Sequence, residues 1–313
     1  VEPGYVLGDL CGTDRLPAFS AAFRAELEAA CGFGLGDVGA GADAPLGDSV
    51  VPLIRSYRFG ADGGIGALAG AINRADTARA LAVLDDPARP EVSRAAPRPD
   101  ELPRLLDEQV VPAYQACLEE GDPGRALAAF ARVRVLAAVR EGPYGVVRLN
   151  RLIEEGLRRR GGIRGSDPWY RGRPVMVTRN DYALNLFNGD LGVTLPGEDG
   201  RPRVWFPAPD GRVRGLLPAR LPAHETVFAM TVHKSQGSEF DQVVAVLPEG
   251  GLEVATRELV YTAVTRARQG VVIWASPERL AEALARRVSR SSALRERLWG
   301  GAREPELAAP QQE

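Results

Sequence analysis

Three short stretches carry residue types whose spacing could do chemistry. The first is Ser56-Tyr57-Arg58-Phe59-Gly60, which closes the apolar run Val50 to Ile54 and precedes Gly63-Gly64-Ile65-Gly66. An arginine at the end of a buried strand is costly unless it meets an anion. Arg58 could therefore offer a guanidinium to a phosphate, and Tyr57 an aromatic face to a base; a structural arginine–carboxylate pair is the other reading. The second stretch is Thr231 to Asp241, TVHKSQGSEFD, lying between two strand-like runs. Hydroxyls, an imidazole, an amide and a glycine converge at a strand end, where open α/β sheets bind ligands. Gly237 permits close backbone approach or positive φ, and Glu239 is an acceptor suited to a ribose hydroxyl. An exposed loop without a ligand is the alternative. The third is Leu259 to Arg268, LVYTAVTRAR. If helical, it places Thr262 and Arg266 one turn apart on one face. A fixed arginine there suits charge on a transferring γ-phosphoryl group; a solvated helix arginine is the bland reading.

These groups must be positioned by a chain of 313 residues, long enough for two domains or for one with an insertion. An apolar fraction of 45% with 26% charged residues is ordinary for a globular protein with a core. No apolar run approaches the ~20 residues that a membrane-spanning helix needs, and no secretory pattern opens the chain. Cys11, Cys31 and Cys117 are isolated, with only His224 and His233 to assist them. Zinc and disulfide frameworks are thereby disfavoured, and a reduced, cytoplasmic setting with buried inert thiols is expected. A formal net charge of −2 argues against attachment to nucleic acid by bulk charge alone. Charge is nevertheless uneven: residues 148–179 hold nine arginines against three acids, and 255–297 is similarly arginine-rich. Such segments are either local phosphate-facing surfaces or solvated helix faces.

The patterning predicts a helix from about Leu16 to Cys31, a loop over 32–47, a strand from Val50 to Ile54 and a short helix from Ile65 to Ile72. Residues 85–103, rich in Pro, Asp and Arg, read as an exposed connection. Helices follow at about 101–120 and 123–132, then a buried strand or helix end at 133–139 and a helix from Gly145 to Arg160. A β pattern takes over from Pro174, with turns at Asn188-Gly189-Asp190 and Asp210-Gly211. Closely spaced short strands suggest a small inserted barrel. Strands at 226–232, 243–247 and 271–275 then alternate with helices at 257–267 and 277–287, which argues for a parallel sheet flanked by helices. Residues 301–313 read as a disordered tail.

The pair TVHKSQGSEFD and ELVYTAVTRAR resembles the last two motifs of superfamily 1 helicases, and the first is particularly similar to the RecD type. SYRFG with GGIGALAGAIN, then VREGPYGVVRLN and GRPVMVTRNDYALNLFNGDLG, complete a RecD-like series in order. The resemblance runs from about residue 1 to 300 and concerns the C-terminal portion of such a helicase. It implies an α/β fold: a RecA-like, P-loop-NTPase-type second motor domain over 51–186 and 225–300, with a small β-barrel inserted at 187–224. Residues 1–50 would be the remnant of the first motor domain. Arg58 and Arg266 would reach the γ-phosphate, Tyr57 the adenine, and Gly237 and Glu239 the nucleotide, with Glu239 on the ribose. Thr231 and His233 would face single-stranded DNA, with Arg179, Asn180 and Asn188 as further contacts. The resemblance also implies 5′→3′ movement, a DNA strand entered at a duplex end, and RecB-like and RecC-like partner subunits.

A motor of this kind needs a P-loop lysine and an acidic magnesium pair. The sequence holds no G-x-x-x-x-G-K-[ST]; its one lysine, Lys234, has no glycine loop before it. Asp107-Glu108 falls in a helical pattern and not after a buried strand. The expectation is a chain that begins after the first motor domain's magnesium motif. ATP would then bind between two domains, with Mg²⁺ held mainly by the other one, and this chain would supply the arginine-bearing, DNA-facing wall. The competing expectations are a non-catalytic nucleic-acid-binding or assembly module and a free-standing RecD-like helicase.

Overall fold

The computed structural model describes residues 63–250 and 254–287 continuously, together with 19–32, 34, 46–50 and the single positions 6, 10, 294 and 297. The chain divides into two compact units, Arg58–Val288 and Val1–Tyr57 with Ser289–Glu313. In the second of these, helix α1 (Ala21–Cys31) starts at Ser20, whose side chain accepts from the Phe23 amide, and stops at Gly32 with φ 71°. None of its residues is buried. Cys31 is accordingly exposed, against the expectation of a buried thiol, while Cys117 is buried. Burial pushes the Cys117 thiol up to about 11, so it stays protonated at neutral pH. Cys11, the expected strand at 50–54 beyond its first residue, and the tail fall outside the described residues.

The larger unit is a mixed α/β structure. It opens with α2 (Gly64–Asn73) and α3 (Thr77–Leu84), the latter capped by Asp76 on the Arg79 amide at 2.9 Å. Then comes β1 (Val92–Ala95), inside the stretch that reads as a connection. Its prolines and charges mask a four-residue edge strand that pairs in parallel through Val92↔Val271. Helices α4 (Leu102–Gln109) and α5 (Val111–Glu119) replace the single expected helix. Pro112 explains the break, because it cannot donate to the carbonyl four residues back. Helix α6 (Pro123–Phe130) is capped by Asp122 on the Arg125 amide, with proline at its first position. Strand β2 (Val133–Ala137) and helix α7 (Val146–Arg159) follow. Helix α7 buries Val146, Leu149, Leu152, Ile153, Gly156 and Leu157, a stripe at helical spacing. At Gly156 a Cβ would lie 2.7 Å from the Val111 side chain, so the absence of a side chain lets α7 meet α5.

The chain then builds a second sheet from β3 (Pro174–Val177), β4 (Leu191–Pro196), β5 (Pro202–Pro207), β6 (Val213–Leu216) and β7 (His224–Thr226). Its order is β6-β5-β4-β3-β7, every pair antiparallel, around Val175, Val177, Leu186, Val204 and Phe206. It thus takes in β3, which lies before the 187–224 segment, and β7, which runs past its end. Afterwards the first sheet resumes with β8 (Ala229–Thr231), β9 (Phe240–Val246), helix α8 (Arg257–Val264), β10 (Ala267–Trp274) and helix α9 (Pro277–Ala285). That sheet has the order β1-β10-β9-β2-β8 and is parallel throughout. Its central strands carry short apolar runs, 243–246 in β9 and 271–274 in β10, as strands of a parallel sheet covered by helices do.

The expected strand at 226–232 is in fact two strands in two sheets. Val227 and Phe228, both fully buried, carry the chain across. The Tyr114 hydroxyl donates to the Phe228 carbonyl at 2.7 Å, and Arg134 donates to the Val227 carbonyl at 2.5 Å. Asn150 of α7 then binds Ala229 twice, donating to its carbonyl at 2.9 Å and accepting from its amide at 2.9 Å. Asn150→Ala should lower the unfolding free energy by about 1–3 kcal/mol, since it strands backbone groups of an edge strand. Urea denaturation of the two proteins measures this, and coincident midpoints would refute it.

Candidate functional site at the two edges of the parallel sheet

Strand register locates the TVHKSQGSEFD stretch. Thr231 pairs with Ala137, which pairs with Val246 on the next strand, so Thr231 stands at the carboxyl edge of the sheet. Phe240 begins β9 at the opposite, amino edge. Six residues of β9 separate the two levels, about 20 Å at the usual strand rise. The segment between them, residues 232–239, is therefore a crossover that runs from one edge to the other. The expectation of one convergent ligand loop at a strand end is corrected accordingly: the motif serves two edges.

At the carboxyl edge the chain makes a 3-10 turn, Val232–Ser235. Ser235 is buried and its hydroxyl donates to the Val232 carbonyl at 2.6 Å, which tightens the turn. Thr231 is half-buried and His233 exposed. The single lysine has a structural partner: Lys234 Nζ lies 2.7 Å from Glu225 of β7, and Arg140 lies 3.0 Å from the other carboxylate oxygen. A groove of about 260 Å³ opens beside them, lined by Arg140, Val147, Asn150, Arg151, Glu225 and Thr226 among others.

The segment then turns at Gly237, whose φ of 85° is the left-handed region that glycine enters without cost. At the amino edge, the Phe240 amide donates to the Arg266 carbonyl at 2.9 Å, and Arg266 Nη1 donates to the Ser238 carbonyl at 3.2 Å. Glu239 is paired with Arg268 at 2.9 Å. Arg266 does not ride on the helix as its spacing from Thr262 suggests. Helix α8 ends at Val264 with Thr265 as its cap, and Arg266 is the link into β10. Both threonines instead turn their hydroxyls back onto the helix: Thr262 donates to Glu258 O at 2.8 Å and Thr265 to Tyr261 O at 2.9 Å.

The structure thus gathers Gly237, Glu239 and Arg266 at one edge and Thr231 and His233 at the other. Arg179, Asn180 and Asn188 lie elsewhere, on the β3–β4 connection, where Asn180 Oδ1 accepts the Asn188 amide at 2.8 Å. Tyr57 and Arg58 fall outside the described residues. Arg268, Lys234, Glu225 and Arg140 carry no site signal in the sequence; the last three meet where the chain passes from β7 of one sheet into β8 of the other. Part of the arginine-rich stretch is paired with acids: Arg159 and Arg160 share Asp107, at 3.4 and 3.0 Å, and Arg151 and Arg158 face Glu155 and Glu154. Among the described residues no group of three or more His, Cys, Asp or Glu could hold a metal ion, and no helix is long and apolar enough to cross a membrane.

Burial alone would raise the Glu225 carboxyl, but hydrogen bonds from Lys234 and Arg140 outweigh it and hold the group below the usual range. A carboxylate depressed on folding adds stability that is fully present above its unfolded value, about 4.3. That stability is lost as pH falls through the folded value. The stability difference between the wild type and Glu225→Gln should therefore be present at pH 7 and shrink below about pH 4. Urea titrations at several pH values test this; a difference independent of pH would contradict it.

Several known proteins are similar to this chain. Residues 226–274 match the family model of the UvrD-like helicase C-terminal domain. The chain is 40% identical over 256 residues to "RecBCD enzyme subunit RecD" of Mycobacterium tuberculosis (strain CDC 1551 / Oshkosh), covering 80% of this chain and 43% of that protein. It is 39% identical over 186 residues to "ATP-dependent RecD2 DNA helicase" of Deinococcus radiodurans, covering 58% of this chain and 24% of that one. Among solved structures, the Bacteroides Pif1 helicase in complex with ADP-AlF3 and ssDNA matches 82% of this chain and 59% of its own, at 16% identity and a TM-score of 0.37. The chain thus spans less than half the length of these curated relatives.

Proposed function

The chain belongs to the RecD family, whose C-terminal portion it matches, and on that premise we propose that it supplies one wall of an ATP-driven, 5′→3′ DNA-helicase motor. The parallel sheet is the second RecA-like motor domain, over 51–186 and 225–300, and the antiparallel sheet corresponds to the small barrel inserted near 187–224. Residues 1–50 are the end of the first motor domain. The substrate is single-stranded DNA at a duplex end, and RecB-like and RecC-like subunits are the partners.

One observation carries this reading: a single eight-residue segment, 232–239, ties the edge bearing Thr231 and His233 to the edge bearing Glu239 and Arg266. The amino edge fits a nucleotide by the chemistry of its donors. Arg266, with Arg58, presents guanidinium groups to the γ-phosphoryl oxygens, where charge develops during transfer. Glu239, held by Arg268, offers its carboxylate to the ribose hydroxyls. Gly237 brings backbone close to the nucleotide, and Tyr57 lies on the adenine. Bound ATP, with Mg²⁺ held mainly by the other motor domain, supplies the phosphoryl group whose hydrolysis releases the free energy. At the carboxyl edge Thr231 and His233 contact the strand, and Arg179, Asn180 and Asn188 extend that contact. Because Arg266 also donates to the Ser238 carbonyl, a shift of its guanidinium toward phosphate pulls directly on the segment that ends at Thr231. Nucleotide state and grip on DNA are thereby linked through one short piece of chain.

Arg266→Ala in the intact protein should reduce DNA-stimulated ATP turnover by on the order of 10³-fold or more, while leaving affinity for a single-stranded oligonucleotide nearly unchanged. Turnover and anisotropy titrations on the same preparation test both halves. Near-normal turnover would remove Arg266 from the phosphate-facing role.

A further inference from the structure

The connection between β3 and β4 exposes two aromatic rings that the motifs above leave without a role. Tyr182 is 79% exposed and Phe187 41% exposed, with ring centroids 6.0 Å apart and planes at 76°. The loop that bears them is tied down at nearly every step. Asp181 and Leu186 exchange backbone hydrogen bonds of 2.7 and 3.0 Å, and Leu186 is fully buried beneath them. The Leu184 amide donates to Asp181 Oδ1 at 3.0 Å and the Phe187 amide to Asp190 Oδ2 at 2.8 Å. Arg214 reaches over from β6 to donate to the carbonyls of Leu184 and Asn185, at 2.6 and 2.5 Å. Asn185 stands at φ 50°, in the left-handed region that asparagine enters more readily than most residues with a side chain.

So much internal bonding spent on a loop that shows two rings to water asks for an occupant of those rings. The surroundings narrow its chemistry. Arg179, Asn180, Asn185 and Asn188 are all exposed on the same β3–β4 connection, so the loop offers amides and a guanidinium beside two rings and not a long apolar run. A protein interface core would be larger and more apolar. Flat faces with amide groups beside them, and a cation within the same loop, suit an unpaired nucleobase with its phosphate. The two carboxylates nearby, Asp181 and Asp190, are each occupied by a backbone amide.

We infer that Tyr182 and Phe187 form a stacking platform for bases of single-stranded DNA, with Arg179 taking the adjoining phosphate. This rests on the reading of the chain as part of a DNA-gripping motor. The platform is preorganised, so little ordering cost is paid when a base arrives. Stacking is blind to sequence, as a translocating motor requires, because every base offers a π-face.

The experiment measures affinity of the intact protein for an oligothymidylate and for an abasic oligonucleotide of equal length. The wild type should favour the oligothymidylate. Y182L with F187L should weaken that binding about 10-fold or more, leave abasic binding unchanged, and leave the salt dependence unchanged because no charge is lost. Y182F and F187Y, which keep the rings, should bind as the wild type does and so exclude a folding defect. Equal affinity of the leucine variant and the wild type for oligothymidylate would overturn the platform alone. An equal loss on both oligonucleotides would overturn it too, and point to a backbone or protein contact. Failure of the wild type to bind either oligonucleotide would overturn the DNA-gripping reading itself.

Discussion

The whole arrangement depends on how two buried residues are held as the chain passes from one sheet to the other. Val227 and Phe228 leave an antiparallel ladder and enter a parallel one with no length to spare. Their carbonyls cannot all be satisfied by strand neighbours, and each unpaired group would cost about 1–3 kcal/mol. Tyr114 and Arg134 satisfy them, and the Phe228 ring packs edge-on against Tyr114 at 4.9 Å. Arg134 is fully buried, and burial pushes its guanidinium down to about 10, still protonated at neutral pH. Its charge lies 3.9 Å from the Phe130 ring centroid and 4.8 Å from that of Phe240, where ring faces offset part of its desolvation.

Phe240 is also where the crossover segment rejoins the sheet. One guanidinium therefore touches both the entry to β8 and the start of β9, on either side of residues 229–239. Asn150 fixes β8 between these points. With both ends pinned, the short segment cannot absorb movement by slack. On the proposed reading, a displacement of Ser238 by Arg266 passes along it to the turn at 232–235. The Lys234–Glu225–Arg140 cluster ties that turn to β7, and so to the antiparallel sheet that carries the aromatic loop.

Much of this was legible in the residues. The alternation of apolar runs with helical stripes gave a parallel sheet with flanking helices, and the turn signals at Asn188-Gly189 and Asp210-Gly211 marked hairpins of the second sheet. The stretch TVHKSQGSEFD stood out because polar groups of that variety are rare between two apolar strands. What stayed hidden depended on pairing at a distance. The strand at Val92–Ala95 is too short and too charged to announce itself, and exists because β10 offers it an edge. The apolar run through 226–232 has no local sign of a change of sheet, since Val227 and Phe228 suit either one. Periodicity likewise extended the helix through Arg266, where the chain has already turned towards β10. The buried Arg134 gave no signal at all, because its shorter bond is to the Val227 carbonyl, 93 residues away.

Native-state hydrogen exchange on the intact protein, with an ATP analogue and with an oligonucleotide added separately, tests the linkage most directly. Exchange reports local opening residue by residue. If the segment joins the two edges mechanically, either ligand alone should slow exchange across the amides of residues 232–239, including those at the edge it does not touch. Protection confined to 238–240 with nucleotide and to 231–234 with DNA would contradict it, and would leave the two edges as independent sites.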